Sequence, residues 1–179
     1  MKRSKNVRRN VMRGIYFVQN MMRVKHYRGF GVHSPFVYGL VRHSVMMKKS
    51  IVGDDCTVFD RLTELGVSQK RAVQLQNMCG WAGYNSPCFV TDTGCELAPM
   101  TEHSVCFVLP SVAPESLAAV CAKAEGTGAA VCILSPYDSR VRSKACRELV
   151  KQHRHTSVDN RGYLLLFFNP RHPKQHFKL

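Results

Sequence analysis

Between residues 88 and 168 the chain alternates short, unbroken apolar runs with segments of helical pattern. Few architectures accept that alternation. The runs at 88–91, 104–109 and 129–134 are apolar and bounded by turn-forming residues. A strand covered on both faces reads as a continuous apolar run, so these predict buried strands. Residues 114–125 open on Pro114 and leave through Gly126 and Gly128, and residues 135–153 open on Ser135-Pro136. Proline suits the first turn of a helix and serine its cap, so both segments predict helices. Residues 155–159 and 163–168, joined by Asn160-Arg161-Gly162, predict a closing hairpin at the end of the sheet. The order predicts a three-layer α/β domain, with a mostly parallel sheet and helices on both faces.

The first half reads as helical. Val7, Val11, Ile15, Val18 and Met22 recur at three- and four-residue spacing, which predicts an amphipathic helix to about Lys25, after a frayed start. The glycines of the turn at 27–31 end it. Pro35 is placed for the first turn of a second helix reaching Met47, with His33 or Ser34 as its cap. Asp54-Asp55 mark a loop, and helices follow over 57–65 and 68–81, the latter with Ser68 as cap. The organisation expected is a basic helical segment at 1–50 and an α/β domain at 51–179.

The formal charge of +14 is unevenly placed. Residues 1–49 hold twelve Lys/Arg and no acid, residues 160–179 hold four and no acid, and the remaining stretch sums to −2. The basicity is therefore assigned to the termini. An arm carrying Arg8, Arg9, Arg13, Arg23, Lys25 and Arg28 can bind nucleic acid or an anionic membrane surface, or can be a solvated helix face. The eight cysteines form no C-x-x-C pair, and several sit inside apolar runs, which predicts core thiols in a reducing cytoplasm. Arg13, Gln19 and Asn20 break the only segment placed for a secretory h-region, and the run at 163–168 is too short to span a bilayer. His153 and His155 straddle a predicted helix end and suggest no zinc cluster; no metal site is expected.

Two segments carry a resemblance. The first, GFGVHSPFVYGLV, is built on His33, Ser34, Pro35 and Phe36; the second is RGYLLLFFNPRHPKQHFKL at 161–179. Together they resemble a group of class I S-adenosylmethionine-dependent methyltransferase-like proteins of Bacteroidetes-type bacteria. In that group an HSPF segment precedes a Rossmann-like domain closed by a K-x-H-F-x-L tail. The resemblance implies an S-adenosylmethionine site at a glycine-rich turn after the first strand. The matching stretch is CFVTDTGC, which offers Asp92 and Gly94; the loop carrying Ser135 and Tyr137 would line the same pocket, with Tyr137 against the adenine.

Only about a dozen residues separate Thr91 from Ser104, barely one parallel crossover. The family's second and third strands are therefore expected to be missing, together with the acid that holds the ribose, unless Glu96 or Glu102 substitutes. At the places where metal-using relatives carry acids stand Leu109-Pro110-Ser111 and a lone Asp138, assigned to the first turn of a helix. Phe36 is expected to anchor the HSPF segment, and Phe177 the tail. The functional expectations are an (O-)methyltransferase with an abbreviated or degenerate site, or a non-catalytic module whose basic arm contacts nucleic acid, a membrane surface or an acidic partner. An abbreviated sheet leaves an open edge, which a second copy of the chain would cover in a homodimer.

Overall fold

The computed structural model describes residues 34–92 and 99–179. The predicted helix over 7–25, its turn, the arm residues Arg8, Arg9, Arg13, Arg23, Lys25 and Arg28, and His33, Gly94, Cys95 and Glu96 lie outside the described residues.

Among the described residues six strands form one sheet: β1 (Ser86–Val90), β2 (Ser104–Val108), β3 (Ala130–Leu134), β4 (Thr156–Asp159), β5 (Tyr163–Phe167) and β6 (Gln175–Lys178). Their order is β1-β2-β3-β5-β4-β6. β1–β2, β2–β3 and β4–β6 pair in parallel, and β5 runs antiparallel to both of its neighbours. The hairpin forms but does not end the sheet. β5 is YLLLF and buried throughout, so it belongs inside, between β3 and β4. The edge beyond β4 goes to the short polar strand β6, whose side chains are mostly exposed, as edges require.

The helices are α1 (Pro35–Leu40), continuing as a wider π-helical turn over Val41–Val45, α2 (Thr57–Glu64), α3 (Gln69–Ala82), α4 (Leu117–Ala124) after a 3-10 turn at Pro114–Ser116, and α5 (Arg140–Gln152). Alternation along the strands divides the core. Val105, Phe107, Cys132, Leu165 and Phe167 pack under α1, α2 and α3. Cys106, Val108, Val131, Ile133, Leu164 and Leu166 pack under α4 and α5. Helices therefore cover both faces, which is why β2, β3 and β5 lack a polar side.

Three buried polar residues of α3 hold the first half together. The Gln76 side chain accepts from the backbone N–H of Val58 and of Phe59, each at 2.9 Å, and so caps α2 from a distance. Asn77 accepts from Val52 N at 2.8 Å and donates to Ser50 O at 3.0 Å. Gln74 donates to Val45 O, while its own backbone carbonyl accepts from the Ser44 hydroxyl at 2.7 Å. Ser68 stands at the cap position of α3, but its side chain makes no capping bond.

Of the cysteines, Cys79, Cys106, Cys121, Cys132 and Cys146 are buried free thiols, and Cys56 and Cys88 are half-buried. Burial pushes the thiols of Cys79 and Cys121 up to about 12 and that of Cys146 to about 11. No described helix is long and apolar enough to cross a membrane.

Candidate functional site

β1, β2, β3 and β4 point the same way, so their carboxyl ends share one rim of the sheet. On that rim lie Thr91-Asp92, Leu109-Pro110-Ser111, Ser135-Pro136-Tyr137 and Asp159-Asn160-Arg161. Cross-links tie them together. The Ser111 hydroxyl donates to the Thr91 carbonyl, and the Tyr137 hydroxyl donates to the Asp159 carboxylate. Asp159 is buried, and its other oxygen accepts from Arg161 N at 2.9 Å.

Beneath the rim lies a side chain that the sequence did not single out. Arg142, on the first turn of α5, is only 2% exposed. Its guanidinium donates to the carbonyls of Val112 (2.7 Å), Leu109 (3.0 Å) and Leu134 (3.2 Å). It thus clamps the loops after β2 and β3 to each other. Burial lowers its pKa from the usual arginine value, and no described carboxylate pairs with it. Carbonyl dipoles do the solvating instead.

Two local expectations fail here for one reason. Ser135 has φ +48°, in the left-handed region, and its N–H is bonded to Gly162 O at 2.9 Å. It cannot open a helix from there. The residues after it make a turn, with Asp138 N bonded to Ser135 O at 3.1 Å, and the helix begins at Arg140. Ser139 is the cap, accepting from Arg142 N at 3.1 Å. Asp138 therefore precedes the cap and is not in the first turn.

Three of the residues expected to line a cofactor pocket are described on this rim. Asp92 is exposed at the end of β1, Gly94 lies outside the described residues, Ser135 is bonded to Gly162 before β5, and Tyr137 hydrogen-bonds Asp159 while the residue remains 43% exposed. Open α/β sheets bind ligands where the strand order reverses. Here β1 is the edge strand, and the crossovers β1 to β2, β2 to β3 and β3 to β4 all advance in the same direction. Among the described residues the order turns back only after β4, where β5 inserts between β3 and β4. Glu102 lies in the turn before β2, its Cβ against Gly128, and is not at the rim. Among the described residues no group of three or more His, Cys, Asp and Glu side chains is arranged to hold a metal ion.

The two terminal signatures meet at the opposite end of the molecule. Ser34 is the cap of α1, accepting from Val37 N at 3.4 Å, and Pro35 takes the first turn. Phe36 then reaches the sheet, edge-on to Phe167 with ring centroids 4.9 Å apart, and stacks on His172 at 4.0 Å. In the tail, Phe177 is only half-buried, and Leu179 is the buried anchor, its N–H bonded to Asp159 O at 2.8 Å. A strand's period of two puts Phe177 and Leu179 on the same side. The last residue reaches deeper.

The assignment of basicity to the termini also needs correction. On α5 the inward residues are Arg142, Cys146, Leu149 and, just past the helix, His153, all buried or half-buried. Two residues earlier in each case stand Arg140, Lys144, Arg147 and Lys151, all exposed. At 100° per residue, an offset of two places the second set on the opposite face. The signal was in the sequence but was diluted by summing charge over 110 residues.

Compared with known proteins, the chain matches no family model, no curated protein and no solved structure.

Proposed function

We propose that this chain is a shortened relative of the class I methyltransferase-like group in which the scaffold outlasts the cofactor site, and that it works as a non-catalytic interaction module for an anionic partner. One observation carries the reading: among the described residues, β1 is the edge of the sheet. In the resembled family, the strands that complete the pocket and supply the ribose acid stand beyond that edge. The strand order supports the family relation, because two helical crossovers and then a hairpin follow β2, as the resemblance implies. The charge of +14 supports the anionic partner.

A second reading, a working methyltransferase with an atypical pocket, is favoured by Asp92 and the exposed Tyr137 ring sharing the carboxyl rim. Titration of the full chain with S-adenosylmethionine and S-adenosylhomocysteine, read by melting and calorimetry, decides between them. Cofactor binding would add roughly 2.7 kcal/mol of stability at a hundredfold excess over Kd. The module reading expects no shift. A shift that Asp92→Ala abolishes would replace it with the enzyme reading. The anionic partner is tested with heparin at low salt; a chain that fails to bind it has another role.

A further inference from the structure

We propose that the exposed face of α5 is a nucleic-acid docking surface that grips the phosphodiester backbone. This deepens the module reading and rests on it, by naming both the partner and the surface.

Arg140, Lys144, Arg147 and Lys151 form one stripe at spacings of four, three and four residues. At 1.5 Å per residue they span about 16 Å, with a cation every 4.5–6 Å. Two more cations lie near the end of the helix. Arg154 is exposed just beyond its end, and Lys174 Nζ donates to Lys151 O at 3.0 Å. The only acid on α5 is Glu148, and its carboxylate is already bound to Lys151 at 2.9 Å. That contact and the neighbouring cations hold it below the usual carboxylate range, so it stays ionised and answers one charge of the stripe. Arg140, Lys144 and Arg147 form no ion pair with a described residue.

An ordinary solvated face mixes signs, because like charges three and four residues apart destabilise a helix. Here three such pairs occur in succession, and a line of phosphates would relieve them. The surrounding chemistry selects among polyanions. A membrane-surface helix needs a broad apolar face to bury in the lipid, but the apolar side of α5 is already spent on the core. Val141 alone stands exposed beside the stripe. A duplex backbone offers one charge per about 1.7 Å of axis, dense enough to meet every cation of the stripe in any register. Such contacts position without reading sequence, and none of these side chains sits in a pocket that would read a base.

The test measures binding of the full chain to labelled 20-base-pair duplexes of DNA and of RNA between 50 and 300 mM salt. The two duplexes show whether one form of the shared backbone is preferred. Neutralising four phosphate contacts predicts that log K falls with log salt at a slope of about −3.6 from this face. The variant Arg140→Gln/Lys144→Gln/Arg147→Gln should flatten the slope by about 2.7 and weaken binding at least tenfold near 0.1 M salt. All three side chains are exposed and mutually repulsive, so the variant should melt no lower than the parent.

Undiminished binding by that variant overturns the inference. If Arg8→Gln/Arg9→Gln/Arg13→Gln then abolishes binding, the module reading stands with the arm as its contact. Binding to anionic phospholipid vesicles but to neither duplex also overturns the inference while keeping an anionic partner. Binding to no polyanion overturns both.

Discussion

The rings of Phe36 and His172 stack with centroids 4.0 Å apart and planes inclined by 30°. One belongs to the HSPF segment and the other to the tail, so the two most characteristic stretches of the chain form a single contact. Trp81 completes it, with its ring 5.4 Å from Phe36. Replacing Phe36 by alanine removes the ring shared by all three partners. The site is only half-buried, so the expected loss is about 2 kcal/mol, below the 3–5 typical of a full core phenylalanine. Urea unfolding would measure it, and a change under about 0.5 kcal/mol would show that the contact is ornamental.

The same neighbourhood sets a pH dependence. Burial lowers the pKa of His172, and nearby His155 lowers it further; burial also lowers that of His153, against the raising effect of its bonds to the Thr156 and Phe167 carbonyls. Unfolded histidine titrates near about 6.5, so below that pH the unfolded chain binds more protons than the folded one. Stability should be full above about pH 7 and decline as pH falls through 6.5 toward 5. Urea midpoints taken across that window would show the decline, and His172→Gln should reduce its slope. A flat profile would mean that the folded chain accommodates imidazolium without cost.

Two glycines predict opposite signs. A Cβ at Gly39 would stand 2.4 Å from a ring carbon of Trp81, which packs across α1 at that point. Gly39→Ala should therefore cost about 1–3 kcal/mol through overpacking, despite alanine's better helix propensity. Gly80 lies in α3 with nothing within 4 Å of such a Cβ. There Gly80→Ala should stabilise by about 0.8–1.0 kcal/mol. Trp81 is the only tryptophan, so its fluorescence follows both transitions. Equal effects at the two sites would deny the close approach.

Gln76 accounts for the entry of α2. Its side-chain oxygen takes two of the orphan N–H groups that begin that helix, and Cys56 at the cap position makes no side-chain bond. Gln76→Ala should cost about 1–2 kcal/mol, like the loss of a strong cap. Amide exchange should rise first at Val58 and Phe59. If it rises no more there than elsewhere, the cap is supplied by another group.

What was legible in the sequence was whatever a local pattern encodes. The runs at 104–109 and 129–134 became β2 and β3 because a strand covered on both faces reads as an almost continuous apolar run. Pro35 announced α1, and Gly126 and Gly128 marked the exit from α4, each now at positive φ. The misses share a different cause. That β5 inserts between β3 and β4 depends on which strand best tolerates the interior, a comparison between segments. That Ser135 cannot cap a helix depends on a bond to Gly162, which is 27 residues away in the chain. Arg142 was not singled out, because an arginine's burial is decided by carbonyls on two other loops. Its phase was readable, since it shares the inward stripe with Cys146 and Leu149.

Arg142 supplies the strongest prediction about the rim. Its guanidinium satisfies the carbonyls of Leu109, Val112 and Leu134 where the chain leaves β2 and β3. Arg142→Ala would leave those acceptors buried and open a cavity beneath them. Unsatisfied buried groups cost about 1–3 kcal/mol each, so a loss of roughly 3–5 kcal/mol is expected, a large part of a domain's usual stability. Arg142→Lys keeps a cation with three donors but loses the planar fork that reaches separate loops. It should fold, with a loss near half that of alanine and with faster amide exchange at 109–112 than at β4. If lysine were as stable as arginine, the clamp would be a matter of charge alone. If even alanine were tolerated, water would be reaching those carbonyls, and the rim would be open where the guanidinium now stands.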